Sequence, residues 1–264
     1  VQHGAKELNL IAQDTTAYGR DRGSPRLHEL LEKLCRLNGL RWLRLLYTHP
    51  AHYYPDLIDV LAGEENICPY LDIPLQHVSD RMLTKMGRKV SRSEIEDLLR
   101  TLRERIPDLT LRTTFMVGFP GETEEDFSEL VRFVRSARID RVGVFTYSSE
   151  EGTPAAGMDE QIPEEVKNDR KHELMSAQMD VALDLVEERM GQRATVLVER
   201  ATPGSNEERP FGRSPHEAPE VDPIIYLQGN GALKPGEFRE VEIVSANGYD
   251  CTAQIVGEGE HNGG

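Results

Sequence analysis

Polar side chains follow several apolar runs of this sequence, at the points where strands would end. The carboxyl ends of parallel strands meet at one edge of a sheet or one mouth of a barrel, where α/β proteins bind their ligands. Several strand ends of this kind therefore predict a ligand site more strongly than one would. The side chains concerned are Gln13, Asp14, His49, Gln76, His77, Arg112, Thr114 and Glu122.

Other kinds of chemistry find less support in the sequence. His49 and His52 have a spacing that could suit a metal ion, but no cysteine or carboxylate accompanies them at a recognised spacing. A single histidine is more often a hydrogen-bonded structural group. No Ser-His-Asp or Cys-His arrangement can be assigned, so the sequence names no metal ligand and no catalytic acid, base or nucleophile.

Residues 111–127, LRTTFMVGFPGETEEDF, combine a strand, a turn and a helix start. The apolar and β-branched first part predicts a buried strand. Gly118, Pro120 and Gly121 end it, and Thr123 can cap a helix whose first turn is acidic. Residues 118–122, here called the glycine loop, would then lie at the carboxyl edge. The alternative is a tight turn that simply requires glycine, because a single Gly-Phe-Pro-Gly is a weak signal.

The elements that would position these groups alternate along the chain. Strands are predicted to begin near residues 7, 41, 67, 109 and 141, with helical patterns between them. Five such units are too few for a closed eight-fold barrel, and they fit an open partial barrel or a doubly wound sheet. A charged helix over residues 163–190 precedes short alternating runs typical of a small antiparallel barrel. The expected domains are 1–190 and 191–257, followed by a disordered tail at 258–264.

Composition limits the classes of partner and compartment. The formal charge of the 264 residues is −15, which disfavours general nucleic-acid binding and suits a basic partner, although solubility alone would explain it. Three scattered cysteines suggest no disulfide framework, and no apolar run is long enough to span a membrane. We therefore expect a cytoplasmic protein. The sequence begins at Val1 without methionine, and we expect it to be part of a longer polypeptide.

Four segments, in order, resemble the radical S-adenosylmethionine methylthiotransferases. They are LNLIAQDTTAYG (8–19), PYLDIPLQHVSDRMLTKMGR (69–88), RTTFMVGFPGETEEDF (112–127) and VGVFTYSSEEGTPAA (142–156). The resemblance extends over nearly the whole chain, and residues after 190 resemble that family's TRAM domain. It implies an α/β fold: a partial parallel (β/α) barrel of the radical SAM type, followed by a small antiparallel OB-like β-barrel.

Two segments resemble the branch of the family that modifies a ribosomal protein. Residues 13–16 read QDTT where the tRNA branch typically has QNVN, and residues 212–223 resemble an Ala-Pro-Glu-Ile-Asp segment of the ribosomal branch. The implied activity is the addition of a methylthio group to the β-carbon of an aspartate in small-subunit ribosomal protein S12. Residues 193–264 hold twelve acidic residues against six lysines and arginines, whereas a tRNA-binding barrel should be basic. Glu217, Glu220 and Asp222 are predicted to contact this basic substrate, with at least two of them exposed together.

The resemblance also implies cofactors: S-adenosylmethionine, and two 4Fe-4S clusters in the intact protein. The cofactor would be cleaved to a deoxyadenosyl radical that removes hydrogen from the aspartate. The implied cofactor-binding residues are Gln13, Asp14, Gln76, His77, Arg112, Thr114, Val117, Gly118 and Glu122, with the backbone of Val117 and Gly118 against the adenine. The family's cluster-binding cysteines are absent, since Cys35, Cys68 and Cys251 do not match their positions. We therefore expect no cluster on this chain and no reaction from it alone.

Two alternatives remain open from the sequence. A tRNA adenosine methylthiotransferase would require a basic TRAM surface, which the composition does not favour. A non-catalytic protein-interaction module would agree with the absence of the cluster-binding cysteines.

Overall fold

The computed structural model describes residues 4–201, 209–229 and 232–256 of the chain. Two compact units emerge: Glu7–Ala182, and a second unit that takes in Leu183–Gly264 and the residues before Glu7. The proposed tail at 258–264 lies outside the described residues. None of the helices in the described part of the chain is long and apolar enough to cross a membrane.

The first unit is a five-stranded sheet with helices after its strands. Its elements are β1 (Glu7–Leu10), α1 (Leu27–Cys35), β2 (Trp42–Leu45), α2 (Pro55–Gly63), β3 (Ile67–Asp72), α3 (Asp80–Lys85), α4 (Arg92–Arg105), β4 (Thr110–Val117), α5 (Glu124–Ala137), β5 (Arg141–Thr146) and α6 (Glu164–Glu187). The last residues of α6, from Leu183, are assigned to the second unit. All strands pair in parallel, in the order β1-β2-β3-β4-β5. The sheet is open, as the partial-barrel prediction requires, and β1 forms one of its edges.

Local sequence explains where the helices after β3 and β4 begin. Ser91 and Thr123 each accept a hydrogen bond from the backbone three residues on, where Glu94 and Asp126 complete capping boxes. The predicted cap of α5, Thr123, is therefore confirmed. Residues of β4 alternate between buried positions and half-exposed ones, so this strand presents one face to the helices and another to the open side of the sheet.

The second unit contains a closed five-stranded barrel. Its strands are β6 (Arg193–Arg200), β7 (Phe211–Arg213), β8 (Ile225–Gln228), β9 (Phe238–Asn247) and β10 (Asp250–Ile255), in the order β10-β8-β7-β6-β9. Four of the neighbouring pairs are antiparallel, and β10 pairs with β8 in parallel. A closed ring with an odd number of strands cannot alternate direction throughout. One parallel pair is therefore required, which the expectation of an antiparallel barrel did not include.

Inward-facing aliphatic residues fill this barrel. The buried cluster consists of Val186, Val196, Val198, Ile225, Leu227, Val241, Ile243, Cys251 and Ala253. Four of the strands, β6, β8, β9 and β10, contribute two alternate residues each, which accounts for the period-two pattern seen in the sequence, and Val186 comes from α6.

Candidate ligand site at the carboxyl edge of the sheet

Three neighbouring strands of the sheet are followed by residues with a left-handed backbone. Tyr47 follows β2 at φ 54°, Gln76 follows β3 at φ 70°, and Gly118 follows β4 at φ 73°. Such a backbone costs a non-glycine residue about 1–2 kcal/mol, and strained residues concentrate at functional sites. Gln76 is held in place by β4, since its N–H donates to the carbonyl of Thr114 at 2.9 Å and its carbonyl accepts from Met116 at 2.8 Å. The carboxyl edge is therefore a preformed surface.

The glycine loop is folded around the carboxylate of Glu122. Oε2 accepts the N–H of Gly118 at 2.7 Å and a guanidinium N–H of Arg170 at 2.6 Å, and Oε1 lies 3.2 Å from Nε2 of His77. Glu122 is buried. Three donors surround this carboxylate, and its contact with a cofactor stays a prediction. Glu122 holds the glycine loop in its folded conformation.

His77 belongs to the same buried network. Its Nδ1 accepts a hydrogen bond from the backbone N–H of Ser79 at 3.0 Å, so the ring proton resides on Nε2, which donates to Glu122. The side chain is fully buried. His77 thus supports the glycine loop, and a direct cofactor contact of its own stays a prediction.

The backbone of Val117 and Gly118 is also occupied by the protein. The carbonyl of Val117 accepts the N–H of Tyr147 at 2.9 Å, and the N–H of Gly118 is held by Glu122. A Cβ on Gly118 would overlap Cγ of Lys167. Protein atoms therefore fill the space that the missing side chain of Gly118 leaves, and the contact of this backbone with an adenine ring stays a prediction.

Asp14, after β1, anchors a half-exposed polar cluster with two histidines. Its Oδ2 lies 2.6 Å from Nδ1 of His52, and its Oδ1 accepts from the hydroxyl of Thr16 at 2.5 Å. Burial acts to raise the pKa of Asp14, but the hydrogen bonds from Thr16 and His52 outweigh it, and the pKa is lowered. Burial and the charges of Arg88 and His52 lower the pKa of His49 to about 4, so this ring is neutral at neutral pH.

The two glutamines predicted for the site retain free amides. Gln13 is exposed and Gln76 is half-buried. Neither side chain hydrogen bonds with another residue in the described ranges 4–201, 209–229 and 232–256. Their contact with a ligand stays a prediction.

Arg88 is a site residue that the sequence reasoning missed. One guanidinium N–H donates to the carbonyl of Pro74 at 2.5 Å, while the buried Nε has no hydrogen-bond partner among the described residues. Burial lowers the pKa of Arg88, and the charge of Asp14 raises it. Gly87, left-handed at φ 69° just after α3, could have signalled that the chain turns back at this point.

Arg112 and Thr114 lie on the open face of β4. A guanidinium nitrogen of Arg112 is 3.4 Å from the carboxylate of Asp72 on β3, and on β1 and β2 Glu7 pairs with Arg44 at 2.9 Å. Opposite charges therefore pair at two places across this face. Whether Arg112 and Thr114 contact a ligand stays a prediction.

An apolar cluster borders the glycine loop. Met82, Phe119 and Tyr147 are buried together, with partly buried Met86, Met116, Ala155 and Met158 packed against them. Phe119 and Tyr147 meet edge to face with ring centroids 5.2 Å apart. Methionine side chains are flexible and polarisable, so such a cluster adapts to a flat ligand ring.

Within the described residues, no group of three or more His, Cys, Asp or Glu side chains could hold a metal ion. Cys68 and Cys251 are buried and Cys35 is half-buried, and none of the three forms a disulfide bond. They occur in β3, β10 and α1, respectively.

The acidic residues assigned to substrate binding in the barrel unit differ in exposure. Glu217 is buried, with Arg189 at 2.7 Å from Oε1 and both the N–H and the hydroxyl of Ser214 donating to Oε2. Its predicted place in an exposed patch is therefore wrong. Asp222 is half-exposed and accepts the N–H of Ala218 at 2.8 Å, and Glu220 is exposed. A substrate role for these last two stays a prediction.

Taken together, the carboxyl edge offers a carboxylate with an ionic partner, a guanidinium with a free donor, two amides and an apolar cluster. A zwitterionic ligand with an apolar ring matches that set, because its carboxylate can bind Arg88 and its ammonium can bind Asp14.

Comparison with known proteins gives the family. The Radical SAM superfamily profile matches residues 2–134, and the TRAM domain profile matches residues 190–256. The coproporphyrinogen III oxidase HemN of Escherichia coli, described as a radical SAM enzyme, superposes with a TM-score of 0.55 at 16% identity, over 80% of this chain and 53% of its own. That similarity supports the fold alone.

Curated relatives are closer in sequence. The ribosomal protein uS12 methylthiotransferase RimO of Heliobacterium modesticaldum is 47% identical over 98% of this chain and 55% of its own length. The protein of the same name from Desulfitobacterium hafniense is 44% identical over 96% of the chain and 56% of its own length. The chain therefore spans about half the length of the curated relatives it matches.

Proposed function

The chain belongs to the radical SAM superfamily, and we propose that it is part of a methylthiotransferase that modifies an aspartate of ribosomal protein uS12. The observation that carries this proposal is the 47% identity to a RimO protein over 98% of the chain. The geometry of the carboxyl edge supports it, because the groups gathered there suit S-adenosylmethionine.

The residues fit this cofactor at both of its ends. The free Nε of Arg88 would bind the methionine carboxylate, and Asp14, kept ionised by Thr16 and His52, would bind the ammonium. The apolar cluster beside the glycine loop would shield the adenine from water. When bound, S-adenosylmethionine supplies a methyl group and, with a reduced iron–sulfur cluster, the oxidising power for hydrogen abstraction.

The cysteines of this chain do not fit a cluster. Cys68 and Cys251 are buried in strands of different units, and no metal-binding group is formed by the described residues. We assign the two 4Fe-4S clusters of the active enzyme to parts of the protein outside this sequence. This chain would bind and orient the cofactor and would not catalyse the reaction alone.

The proposed protein substrate suits the charge of the chain. A net charge of −15 favours association with a basic ribosomal protein in the cytoplasm and opposes binding to RNA. With Glu217 buried, the acidic residues available on its segment are Glu220 and Asp222.

The test uses the full-length protein, reconstituted anaerobically with iron and sulfide and supplied with reductant and S-adenosylmethionine. Incubation with uS12 should add one methylthio group to an aspartate, detected by peptide mass spectrometry, and a tRNA anticodon stem-loop should stay unmodified. Modification of the tRNA instead would overturn the proposal.

Two variants test whether the carboxyl edge binds S-adenosylmethionine. Arg88→Gln should weaken S-adenosylmethionine binding by about tenfold or more in calorimetry, since a charged hydrogen bond contributes about 1.5–3 kcal/mol. Arg22→Gln is the matched control, because the side chain of Arg22 is largely exposed. Equal affinities for the two variants would remove Arg88 from the site.

A further inference from the structure

Two cations of α6 are buried against the glycine loop, and neither was singled out by the sequence. The ammonium of Lys167 donates to the carbonyl of Tyr147 at 3.0 Å and lies 2.6 Å from Glu164. The guanidinium of Arg170 donates to both the carbonyl and the carboxylate of Glu122. Burying a charged side chain is costly unless it is paired, so this arrangement points to a specific role.

The stem of Lys167 fills the space above Gly118. A Cβ added to Gly118 would overlap Cγ of Lys167 and would lie 3.0 Å from its Cδ and 3.1 Å from its Cβ. Lys167 is buried, so its stem has little freedom to move aside. Any side chain at position 118 would therefore displace either α6 or the loop.

Gly121 provides an internal comparison in the same loop. Its φ of 80° is close to the 73° of Gly118, so a Cβ imposes similar backbone strain at both positions. The atoms that a Cβ on Gly121 would meet are the tips of Lys85 and Glu160. These two side chains are partly or largely exposed and can swing away. The two glycines thus share strain and differ in what packs against them.

The ammonium of Lys167 also joins two strand ends. Tyr147, whose carbonyl it binds, donates its own N–H to the carbonyl of Val117, the residue before the loop. The carboxyl ends of β4 and β5 and the start of α6 are thereby linked in one chain of hydrogen bonds. Movement of Lys167 would be transmitted directly to the loop.

We propose that Lys167 is a positioning residue for the cofactor: it holds the glycine loop in its binding conformation, and Gly118 is glycine because Lys167 occupies the space above it. The identity of the ligand rests on the function proposed above. The packing relation between Lys167 and Gly118 does not depend on that identity.

The first experiment is a double-mutant cycle on this 264-residue chain, with hydrogen exchange at the amide of residue 118 as the readout. That amide is donated to buried Glu122 and should be protected. Gly118→Ala should lower its protection by about a hundredfold, because backbone strain and the collision with the stem add, whereas in the Lys167→Ala background the same substitution should lower protection only by the share of the strain, about tenfold. Gly121→Ala alone should lower protection by no more than about tenfold, because it brings the strain without that collision.

A second double variant separates the effect of the Lys167 stem from that of its ammonium. Lys167→Met retains the stem and lacks the ammonium, so Gly118→Ala combined with Lys167→Met should stay as poorly protected as Gly118→Ala alone. If Lys167→Ala gives no recovery, or if the methionine variant recovers as well, the space above Gly118 is not reserved for the lysine stem and the proposal is wrong.

The second experiment measures S-adenosylmethionine binding to the full-length protein with its clusters in place. Lys167→Met should lower affinity by about tenfold with little change in melting temperature, because the link to Tyr147 is lost while packing is kept. Unchanged affinity would refute the positioning role. If the unmodified protein does not bind S-adenosylmethionine at all, the proposed function fails, whereas the hydrogen-exchange cycle still decides the packing relation.

Discussion

Glu122 in the sheet unit and Glu217 in the barrel unit are two buried carboxylates with nearly the same environment. Each accepts a backbone N–H from a residue three or four positions earlier, and each pairs with an arginine, Arg170 or Arg189. From the sequence, one had been assigned to a cofactor and the other to a substrate. In both units the carboxylate holds a loop in place by bonding to a backbone N–H of that loop and to an arginine.

The two carboxylates differ in how completely they are enclosed. The side chain of Arg170 is 9% exposed and that of Arg189 is 19% exposed. The ring of His77, which bonds to Glu122, and the hydroxyl of Ser214, which donates to Glu217, are both buried, so the difference lies in the two arginines. The loop at the carboxyl edge is therefore held by groups with less access to water, which suits a loop that must keep its shape when a ligand binds or leaves.

The largest effect should follow from Glu122→Gln. The amide offers one acceptor where the carboxylate served three donors, and Arg170 is left as a buried charge, so the sheet unit should lose about 3 kcal/mol of unfolding free energy. Urea denaturation monitors this loss. Glu124→Gln is the control, because its largely exposed carboxylate lies 3.4 Å from the same arginine and should contribute less than about 0.5 kcal/mol.

A smaller loss is expected from Glu217→Gln in the barrel unit. Arg189 can recover hydration more easily, so the cost should be about 1–2 kcal/mol. Glu220→Gln, at an exposed position, should be within about 0.5 kcal/mol of the unmodified protein. Equal costs for Glu122 and Glu217 would show that enclosure does not distinguish the two loops.

The smallest effect should come from lowering the pH, and it concerns His49, which is less enclosed than the two carboxylates. The pKa of His49 is about 4 in the folded chain against an ordinary 6.5, so between those values the unfolded chain binds more protons. Stability should therefore fall as pH drops from about 6.5 to about 4. Because the ring is only half-buried, the loss should be about 1 kcal/mol. His49→Gln should flatten this part of the curve, and His172→Gln, at an exposed site of α6, should not.

Much of the fold could be predicted because it depends on local signals. Apolar and alternating runs located the strands, and the capping residue Thr123 located the start of α5. The candidate site was predicted less completely, because hydrogen-bond partners come from distant parts of the chain. Arg170 reaches Glu122 across 48 residues, and no spacing rule reveals such a pair.

The same limit explains the residues that were misassigned or missed. Gly118 was correctly singled out, but the atoms it accommodates belong to Lys167 in another element. His77 looks the same in sequence whether it faces a ligand or supports a loop, and its hydrogen bond from Ser79 is visible only in the structure. Arg88 carried no pattern of its own apart from the neighbouring glycine. Burial and partner identity are tertiary properties that composition does not record.

The strand orders of the two units imply that their strands pair at different stages of synthesis. In the sheet every strand pairs with its neighbour in sequence, so this unit can grow strand by strand as the chain leaves the ribosome. The barrel closes only through β10, which joins β8 and β9. A nascent chain that stops before Asp250 would therefore expose two strand edges, and this interval is when the polypeptide is most prone to aggregate.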